Sequence, residues 1–327
     1  MDGDKILKGV SLDKKEICLA LGQGGARCLA HIGVLQIFQE HGICIKKIAG
    51  TSAGAIVGAV FSETQDAFET EERFRTLLKS DAYEKSGLNN LKDHSVNGVS
   101  FWEQITTRIK GIIALNIAQS KLGVLQNLNF KACLRILIHG NNFSQLQIPF
   151  SAMATDLITG YSVEITSGDI IIALNASAAI PGFFPPVPWN DHLLVDGAVC
   201  CPVPVEHCRL HERDVTVAVH VPAAINPDYK PENALDLMVR AEEINMRNLD
   251  QVKSSRADIK IFPETKDVAW NELHRLEEMV AAGRAAGKKA LPEVLETISS
   301  RIQQEAESTN PAAGPLFQEC HKYLIKL

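Results

Sequence analysis

Apolar and polar residues follow one another in blocks near the start of the chain, and the blocks predict two strand–turn–helix units. The run EICLAL at residues 16–21 is short and almost entirely apolar, which is typical of a buried strand. Residues 28–42 have apolar positions at helical spacing and end at Gly42, a natural helix C-cap. A second apolar run at residues 43–49, followed by a small-residue helix from Ala55, repeats this order. The repetition predicts a parallel sheet with helices on its faces.

The rest of the chain predicts further elements of both kinds. We expect a charged surface helix at residues 65–80, and we interpret the weakly patterned residues 81–128 as an insertion or cap. Later strands are predicted at residues 147–157, 161–166, 192–198, 214–221 and 257–263, and later helices at residues 130–140, 169–180, 234–252 and 270–291. A turn at Thr159-Gly160 is expected to pair the first two of these strands.

These elements predict the α/β fold class, as a three-layer α/β/α sandwich with a central, mostly parallel sheet. We expect a single domain over residues 1–327, with a catalytic core at about 14–205 and C-terminal strands and helices at 206–327.

Composition excludes some functions. The chain has 327 residues, of which 46% are hydrophobic, and a net charge of −6, which argues against a nucleic-acid partner and against charge-driven docking on anionic lipid. The sequence has no signal-peptide core and no apolar run of about 18 residues. We therefore expect a cytoplasmic protein, whose membrane contact, if it occurs, is peripheral and apolar.

The eight cysteines show no CxxC spacing and lie mostly in apolar runs, so we interpret them as reduced, buried thiols. Cys201, Cys208 and His211 form the one grouping that could be drawn as a metal site. Its spacing matches no standard zinc pattern, so no metal is expected.

A lone hydroxyl lies in a five-residue turn with glycine at both ends, Gly50 to Gly54, between a predicted strand and a predicted helix. This GxSxG pattern is typical of a nucleophile elbow, in which Ser52 adopts a strained backbone and its neighbours must be small. The following helix points its N-terminus at the serine, which favours negative charge there. The alternative is that Ser52 is only the N-cap of that helix.

A glycine cluster, GQGGAR at residues 22–27, lies at the corresponding place after the first strand. It departs from a dinucleotide fingerprint because Arg27 occupies the last glycine position, and it has no GK[ST] of a phosphate-binding loop. It fits an oxyanion hole, because backbone N–H groups at a helix N-terminus would point beside the serine turn. Arg27 could bond loop carbonyls or contact an anionic head group, and a plain tight turn remains the alternative.

A serine nucleophile needs a base. Asp196 ends the apolar run LLVD and is followed by Gly197, which suits a carboxylate at a strand end near the site, although an ordinary Asp-Gly turn would look the same. None of the ten histidines has a distinctive setting. A triad esterase would need a histidine after the acid, which leaves His207, His211 or His220.

Five blocks in order resemble the patatin-like phospholipases, lipid acyl hydrolases with a Ser-Asp dyad: LALGQGGARCLAHIGVL, IAGTSAGAIVGAVF, SAMATDLITG, NASAAIPGFFPPV and LVDGAV, over about residues 16–200. The resemblance implies that Ser52 is the nucleophile and Asp196 the base. It also implies an oxyanion hole from the backbone amides of Gly24, Gly25 and Ala26, with Arg27 at the family's basic position. Gly50, Gly54 and Gly197 would then be supporting positions.

Two positions depart from the family pattern, since Gln23 and Cys28 stand where glycine is usual. Neither change removes a backbone N–H, and Cys28 adds bulk that would narrow the site. The resemblance implies hydrolysis of a phospholipid, lysophospholipid or other acyl ester without a metal or organic cofactor. Residues 111–125 and 182–189 would form the acyl channel, or are ordinary core and a proline-rich turn. The alternatives are a triad α/β-hydrolase esterase and a non-catalytic regulatory or scaffold member of the family.

Overall fold

Eight strands form one sheet in the computed structural model, which describes residues 15–88, 122–123, 125, 127–222, 229–231, 234–265 and 268–308. The strands are β1 (Glu16–Leu21), β2 (Cys44–Thr51), β3 (Phe150–Asp156), β4 (Ser162–Ile165), β5 (Val187–Trp189), β6 (His192–Asp196), β7 (Thr216–Val219) and β8 (Ile259–Ile261). Hydrogen bonding follows the order β5-β6-β3-β2-β1-β7-β8, and β4 also pairs with β3. The pairs β1–β2, β1–β7, β2–β3 and β7–β8 are parallel, which confirms the predicted mostly parallel sheet.

Strand β3 brings two strand ends together. Residues 150–153 of β3 pair with β2, residues 154–156 pair with β6 in antiparallel fashion, and residues 152–155 pair with β4. Because β4 overlaps both ranges, β2 and β6 share the other edge of β3 and lie end to end. Their carboxyl ends, Thr51 opposite Met153 and Asp196 opposite Ala154, therefore meet at neighbouring positions.

Helices cover the sheet. The α-helices in the described part of the chain are α1 (Ala30–Glu40), α2 (Ala53–Thr64), α3 (Ala67–Leu78), α4 (Asp81–Lys85), α5 (Asn127–Leu137), α6 (Ile170–Ser177), α7 (Val205–Cys208), α8 (Ala234–Ser254) and α9 (Leu276–Ser308). Alternation along β1 sends Ile17 and Leu19 into the larger core with α1, α2 and α9, while Cys18 and Ala20 pack with residues of α7 on the other face. Helices lie on both faces of the sheet, as predicted.

Two elements differ from the sequence prediction, and a third prediction is mostly untested. Strand β5 was not predicted, because Pro188 interrupts its pattern; the structure places it at the end of the sheet, where proline is tolerated. Helix α9 was expected to end before Pro292 but continues to Ser308, since Val294 and Ile298 beyond the proline are buried in the core. Most of the predicted cap at residues 81–128 lies outside the described residues.

None of the helices in the described ranges combines the length and the apolar composition needed to cross a membrane.

Candidate active site

Ser52 occupies a strained turn between β2 and α2. Its φ of 56° and ψ of −129° lie in a region that non-glycine residues rarely adopt. The turn closes only with small neighbours, because a Cβ on Gly50 would lie 2.5 Å from Ala55 Cα and one on Gly54 would lie 2.3 Å from the Gly22 carbonyl oxygen. The strand, the turn and the helix are as the GxSxG pattern predicts.

Two hydroxyl groups hold the turn in place. The Ser52 amide donates to Ser177 Oγ at 3.0 Å, and Thr51 Oγ1 donates to the Cys201 carbonyl at 2.7 Å. Ser52 stands at the N-cap position of α2, but its side chain makes no capping hydrogen bond. The helix-cap alternative therefore does not account for this side chain.

The Ser52 hydroxyl instead donates to Asp196 Oδ2 at 2.6 Å. Asp196 Oδ1 accepts a second hydrogen bond, from the Ala198 amide at 2.8 Å. The exposed fractions of Ser52 and Asp196 are only 6% and 3%. Burial raises the pKa of the Asp196 carboxyl to about 7, against the opposing effect of these two hydrogen bonds. The site thus pairs a buried hydroxyl group with a carboxyl group whose pKa lies near neutrality.

Asp196 is the last residue of β6, and the sequence argument placed it at a strand end near the site without giving the direction of that strand. Strand β6 runs antiparallel to β3 and approaches Ser52 head on. Gly197 allows this approach, because a Cβ there would lie 2.3 Å from the Met153 carbonyl oxygen.

The glycine loop lies against both Ser52 and Trp270. Gly25 has a φ of 59°, and a Cβ on it would lie 2.5 Å from the Trp270 carbonyl oxygen. The same carbonyl accepts from the Ala26 amide at 2.6 Å. Of the three amides predicted for an oxyanion hole, the one on Ala26 is thus already bonded. No acceptor within the described residues is recorded for the amides of Gly24 and Gly25.

Arg27 is a buried side chain that hydrogen-bonds the glycine loop to two neighbouring segments. It is 3% exposed, and its guanidinium donates from Nε to the Val221 carbonyl at 3.2 Å and from Nη1 to the Val268 carbonyl at 3.1 Å. Burial lowers the pKa of Arg27. Of the two roles considered for this side chain, bonding of loop carbonyls is the one observed.

The histidines proposed for a triad have other partners. His207 Nδ1 lies 3.2 Å from Glu164 Oε2, His220 Nε2 lies 3.1 Å from Asp250 Oδ2, and His211 is exposed in a turn. Within the described ranges, the recorded hydrogen bonds to the Asp196 carboxyl come from Ser52 and the Ala198 amide. In this part of the chain, the side chain bonded to the Asp196 carboxyl is that of Ser52 and not that of a histidine.

The cysteines differ in part from the expectation. Cys18, Cys28, Cys133, Cys201 and Cys208 are buried, but Cys44 is exposed because it begins β2 at the surface, and Cys200 is half-buried. Cys320 lies outside the described residues. In the described part of the chain no group of three or more histidine, cysteine, aspartate or glutamate side chains is arranged to hold a metal ion.

An apolar cavity opens at Ser52. It contains about 730 Å³ of space, its mouth included, and its walls include Cys28, Phe74, Leu77, Phe130, Leu134 and Phe184. Phe184 belongs to the predicted channel segment 182–189, and Cys28 also lines the cavity. The main wall comes from α3 and α5, which the sequence did not indicate. The other predicted segment, 111–125, lies outside the described residues except for 122, 123 and 125.

Ser177 and Trp270 were missed by the sequence reasoning. Ser177 lies inside one of the five family blocks, where its hydroxyl was available as a signal. Trp270 contacts the glycine loop from a segment beyond the blocks, and no pattern in the sequence marks it.

Known proteins share this sequence pattern. The family model for patatin-like phospholipases matches residues 19–209. An uncharacterized NTE family protein of Mycobacterium tuberculosis is 32% identical over 203 residues, which are 62% of this chain and 48% of that protein. Patatin-like phospholipase domain-containing protein 7 of Mus musculus is 26% identical over 207 residues, 63% of this chain and 13% of that protein. The chain thus spans about half or less of the curated relatives it matches.

Two solved structures are similar at low identity. VipD from Legionella pneumophila has a TM-score of 0.45 at 14% identity, over 88% of this chain and 67% of that one. Human GIVD cytosolic phospholipase A2 has a TM-score of 0.40 at 11% identity, over 87% and 60%. The family model carries the assignment, because it covers more than half of the chain and includes both Ser52 and Asp196. The chain belongs to the patatin-like phospholipase family.

Proposed function

We propose that this chain hydrolyses carboxylic esters of lipids, with Ser52 as the nucleophile and Asp196 as its base. One observation carries the proposal: the strained Ser52 turn presents its hydroxyl 2.6 Å from Asp196 Oδ2, inside a buried pocket. A hydroxyl needs such a base to attack an ester, and a carboxyl with a raised pKa is suited to take and return the proton.

In the first half-reaction, Ser52 Oγ attacks the acyl carbonyl carbon as its proton passes to Asp196. The carbonyl oxygen becomes an oxyanion, which the amides of Gly24 and Gly25 would stabilise. The Ala26 amide would contribute only after leaving the Trp270 carbonyl. The C–O bond to the alcohol then breaks, and Asp196 returns the proton to the leaving oxygen.

In the second half-reaction, water attacks the acyl-enzyme. Asp196 takes a proton from the water, the Ser52 ester bond breaks, and the proton returns to Ser52 Oγ. The free fatty acid leaves and the dyad is restored. Every proton is accounted for by these two side chains and one water.

The cavity at Ser52 supports a lipid acyl chain as the group transferred. Its walls are aliphatic and aromatic, so it would bind a hydrocarbon chain by removing apolar surface from water. A phospholipid, a lysophospholipid or another acyl ester would supply such a chain.

Apolar surface beside the site supports peripheral contact with a lipid surface. Three segments without a charged residue, 157–163, 178–190 and 197–205, converge there. Pro181 and Val199 line the entrance to the dyad, and Cys200 Sγ donates to the Gly160 carbonyl at 3.6 Å, which joins the β3–β4 turn to this rim. On that turn Ile158 and Tyr161 are 66% and 69% exposed.

Covalent labelling tests the nucleophile. A fluorophosphonate probe should label Ser52 alone, because only an activated hydroxyl attacks phosphorus in such a reagent. Peptide mapping by mass spectrometry would locate the adduct, with Ser255→Ala, a change at an exposed serine just after α8, as a control that still labels. Labelling that persists in Ser52→Ala would overturn the assignment, and absence of labelling and of ester turnover would favour a non-catalytic family member.

A further inference from the structure

A second cavity lies on the other side of the dyad. It contains about 350 Å³ of space and shares Gly25, Ser52 and Ile180 with the apolar cavity, but of the two it alone reaches Asp196. Its other walls include Gln23, Pro181, Val199 and Met246. Ser52 therefore stands at the junction of two separate spaces.

The two cavities fit the two parts of an ester. When Ser52 attacks the carbonyl carbon, the acyl chain and the alkoxy group point away from that carbon in different directions. Asp196 returns the proton to the leaving oxygen, so that oxygen must lie on the Asp196 side. The apolar cavity then takes the acyl chain, and the second cavity takes the alcohol.

Gln23 gives the second cavity its polar character. Its side chain is 9% exposed, and its Nε2 contacts Met246 Sδ at 3.7 Å, which is a weak acceptor. No described residue is recorded as a donor to its Oε1. The amide therefore keeps hydrogen-bonding capacity on the side that faces the cavity. A hydroxyl group of a bound alcohol can both donate to and accept from this amide.

The charges at the second cavity disfavour a phosphate. Among the described residues, its lining contains no lysine, arginine or histidine, and the one ionisable carboxyl is that of Asp196. Arg27, the nearest basic position in the loop, points its guanidinium at the carbonyls of Val221 and Val268 instead. A phosphate placed there would lose its hydration without gaining a cation and would face a carboxylate.

We propose that the second cavity is the leaving-group site, that it selects acyl esters of small uncharged polyols over esters whose alcohol bears a phosphate, and that Gln23 is the specificity-determining residue. This inference rests on the hydrolase function proposed above and names its substrate class.

Three esters of one fatty acid test the proposal: 1-monooctanoylglycerol, 1-octanoyl lysophosphatidic acid and phenyl octanoate. The wild-type kcat/KM should be at least about tenfold higher for the glycerol ester than for the phosphate ester. Gln23→Leu keeps the backbone amide, which donates to the Pro202 carbonyl at 2.9 Å. It should lower kcat/KM for the glycerol ester by about threefold to tenfold, as expected for one lost hydrogen bond. The value for phenyl octanoate, whose alcohol part has no hydroxyl, should stay within about twofold.

The matched control is Gln251→Leu, an exposed glutamine on α8, the helix that also carries Met246; it should leave all three values unchanged. Equal or faster hydrolysis of the phosphate ester would overturn the inference, as would an equal loss on all three esters in Gln23→Leu. Failure of the wild type to hydrolyse even phenyl octanoate, with no label on Ser52, would overturn the proposed function and the leaving-group site with it.

Discussion

At the scale of single residues, the proposed mechanism implies that the burial of Asp196 sets the pH at which Ser52 can be activated. Its pKa is raised to about 7, so below that pH the carboxyl is protonated and cannot accept the Ser52 proton. We expect kcat/KM for a soluble ester to rise with pH and to level off above about 7–8, following one ionisation of the free enzyme. A pH–rate profile with phenyl octanoate measures this, and a flat profile between pH 5 and 9 would contradict it.

The same ionisation has an effect on stability of known sign. The folded-state pKa of about 7 is above the ordinary aspartate value of 3.8, so the folded state holds this proton more tightly than the unfolded state does. The contribution to stability is present at low pH and is lost as pH rises through about 7. Asp196→Asn should abolish turnover nearly as fully as Ser52→Ala, yet at pH 8 it should raise the free energy of unfolding by about 1–3 kcal/mol. Urea denaturation at pH 5 and pH 8 measures this difference.

A histidine control separates dyad from triad. Replacing His207, His211 or His220 by glutamine should lower turnover far less than Asp196→Asn does, since none of the described contacts of these side chains is with Ser52 or Asp196. One folded histidine variant as inactive as Ser52→Ala would contradict the dyad.

The positions of single residues in the site could be predicted where a short sequence motif constrains the backbone. Gly50, Ser52 and Gly54 are specified by the backbone of the turn, so their arrangement is local. The contact of Asp196 with Ser52 spans 144 positions and depends on how β6 pairs with β3. In the sequence, the run LLVD followed by Gly197 singled out Asp196 as a candidate, and the family resemblance implied its role as the base of Ser52. The bond from the Ala26 amide to the Trp270 carbonyl could not be anticipated.

At the level of elements, the glycine loop offers a test with an internal control. Gly25 and Gly42 both have positive φ, 59° and 66°, but a Cβ on Gly25 would meet Trp270 whereas one on Gly42 would meet nothing within 4 Å. Both Gly→Ala changes carry a similar backbone cost, about 1 kcal/mol. Only Gly25→Ala should displace the loop, and we expect it to lower kcat by about 10²–10³, the usual effect of losing one oxyanion donor.

Thermal unfolding and steady-state rates on both variants make the comparison. Near-normal turnover in a folded Gly25→Ala variant would mean that this loop has only a structural role. Gly42→Ala should keep full turnover, because Gly42 follows the C-terminal end of α1, away from the site.

Helices and strands were predictable where their apolar residues recur at a regular spacing and where their packing partners are close in sequence. Strand β1 was predicted at the residues observed, and α8 was predicted to within two residues of its end. Strand β5 and the continuation of α9 were missed because tertiary packing overrides the proline signal at Pro188 and Pro292. The contribution of α3 and α5 to the wall of the apolar cavity was missed for a similar reason. Both helices have amphipathic patterns, but such a pattern does not show whether the apolar face packs against other residues or lines a cavity.

At the scale of the whole molecule, the uncharged rim beside the site, formed by residues 157–163, 178–190 and 197–205, predicts how the protein would contact a lipid surface. The chain has a net charge of −6, so binding to zwitterionic vesicles should come from apolar contact and change little between low and high salt. Replacing both Ile158 and Tyr161 by glutamate should lower vesicle binding and turnover of vesicle-borne substrate. It should leave hydrolysis of phenyl octanoate unchanged.

Phe68 provides the control for that experiment. It is 47% exposed but lies near the start of α3, just beyond the end of α2 that is distant from Ser52. Phe68→Glu should leave vesicle binding as it is. Vesicle binding that collapses with added salt would show that charge, and not the rim, governs the contact.

The crossing of α1 and α9 has a consequence for where the functional unit ends. Gly33 and Gly283 let the two helix backbones touch, since a Cβ on Gly33 would lie 2.0 Å from the Val280 carbonyl oxygen and one on Gly283 would lie 1.8 Å from that of Ala30. Trp270, just before this helix, braces the glycine loop, yet the family model stops at residue 209. A domain boundary drawn from similarity alone would therefore leave out Trp270, which lines the cavity at Ser52. A chain that keeps both this wall and the crossing of α1 with α9 extends past Gly283.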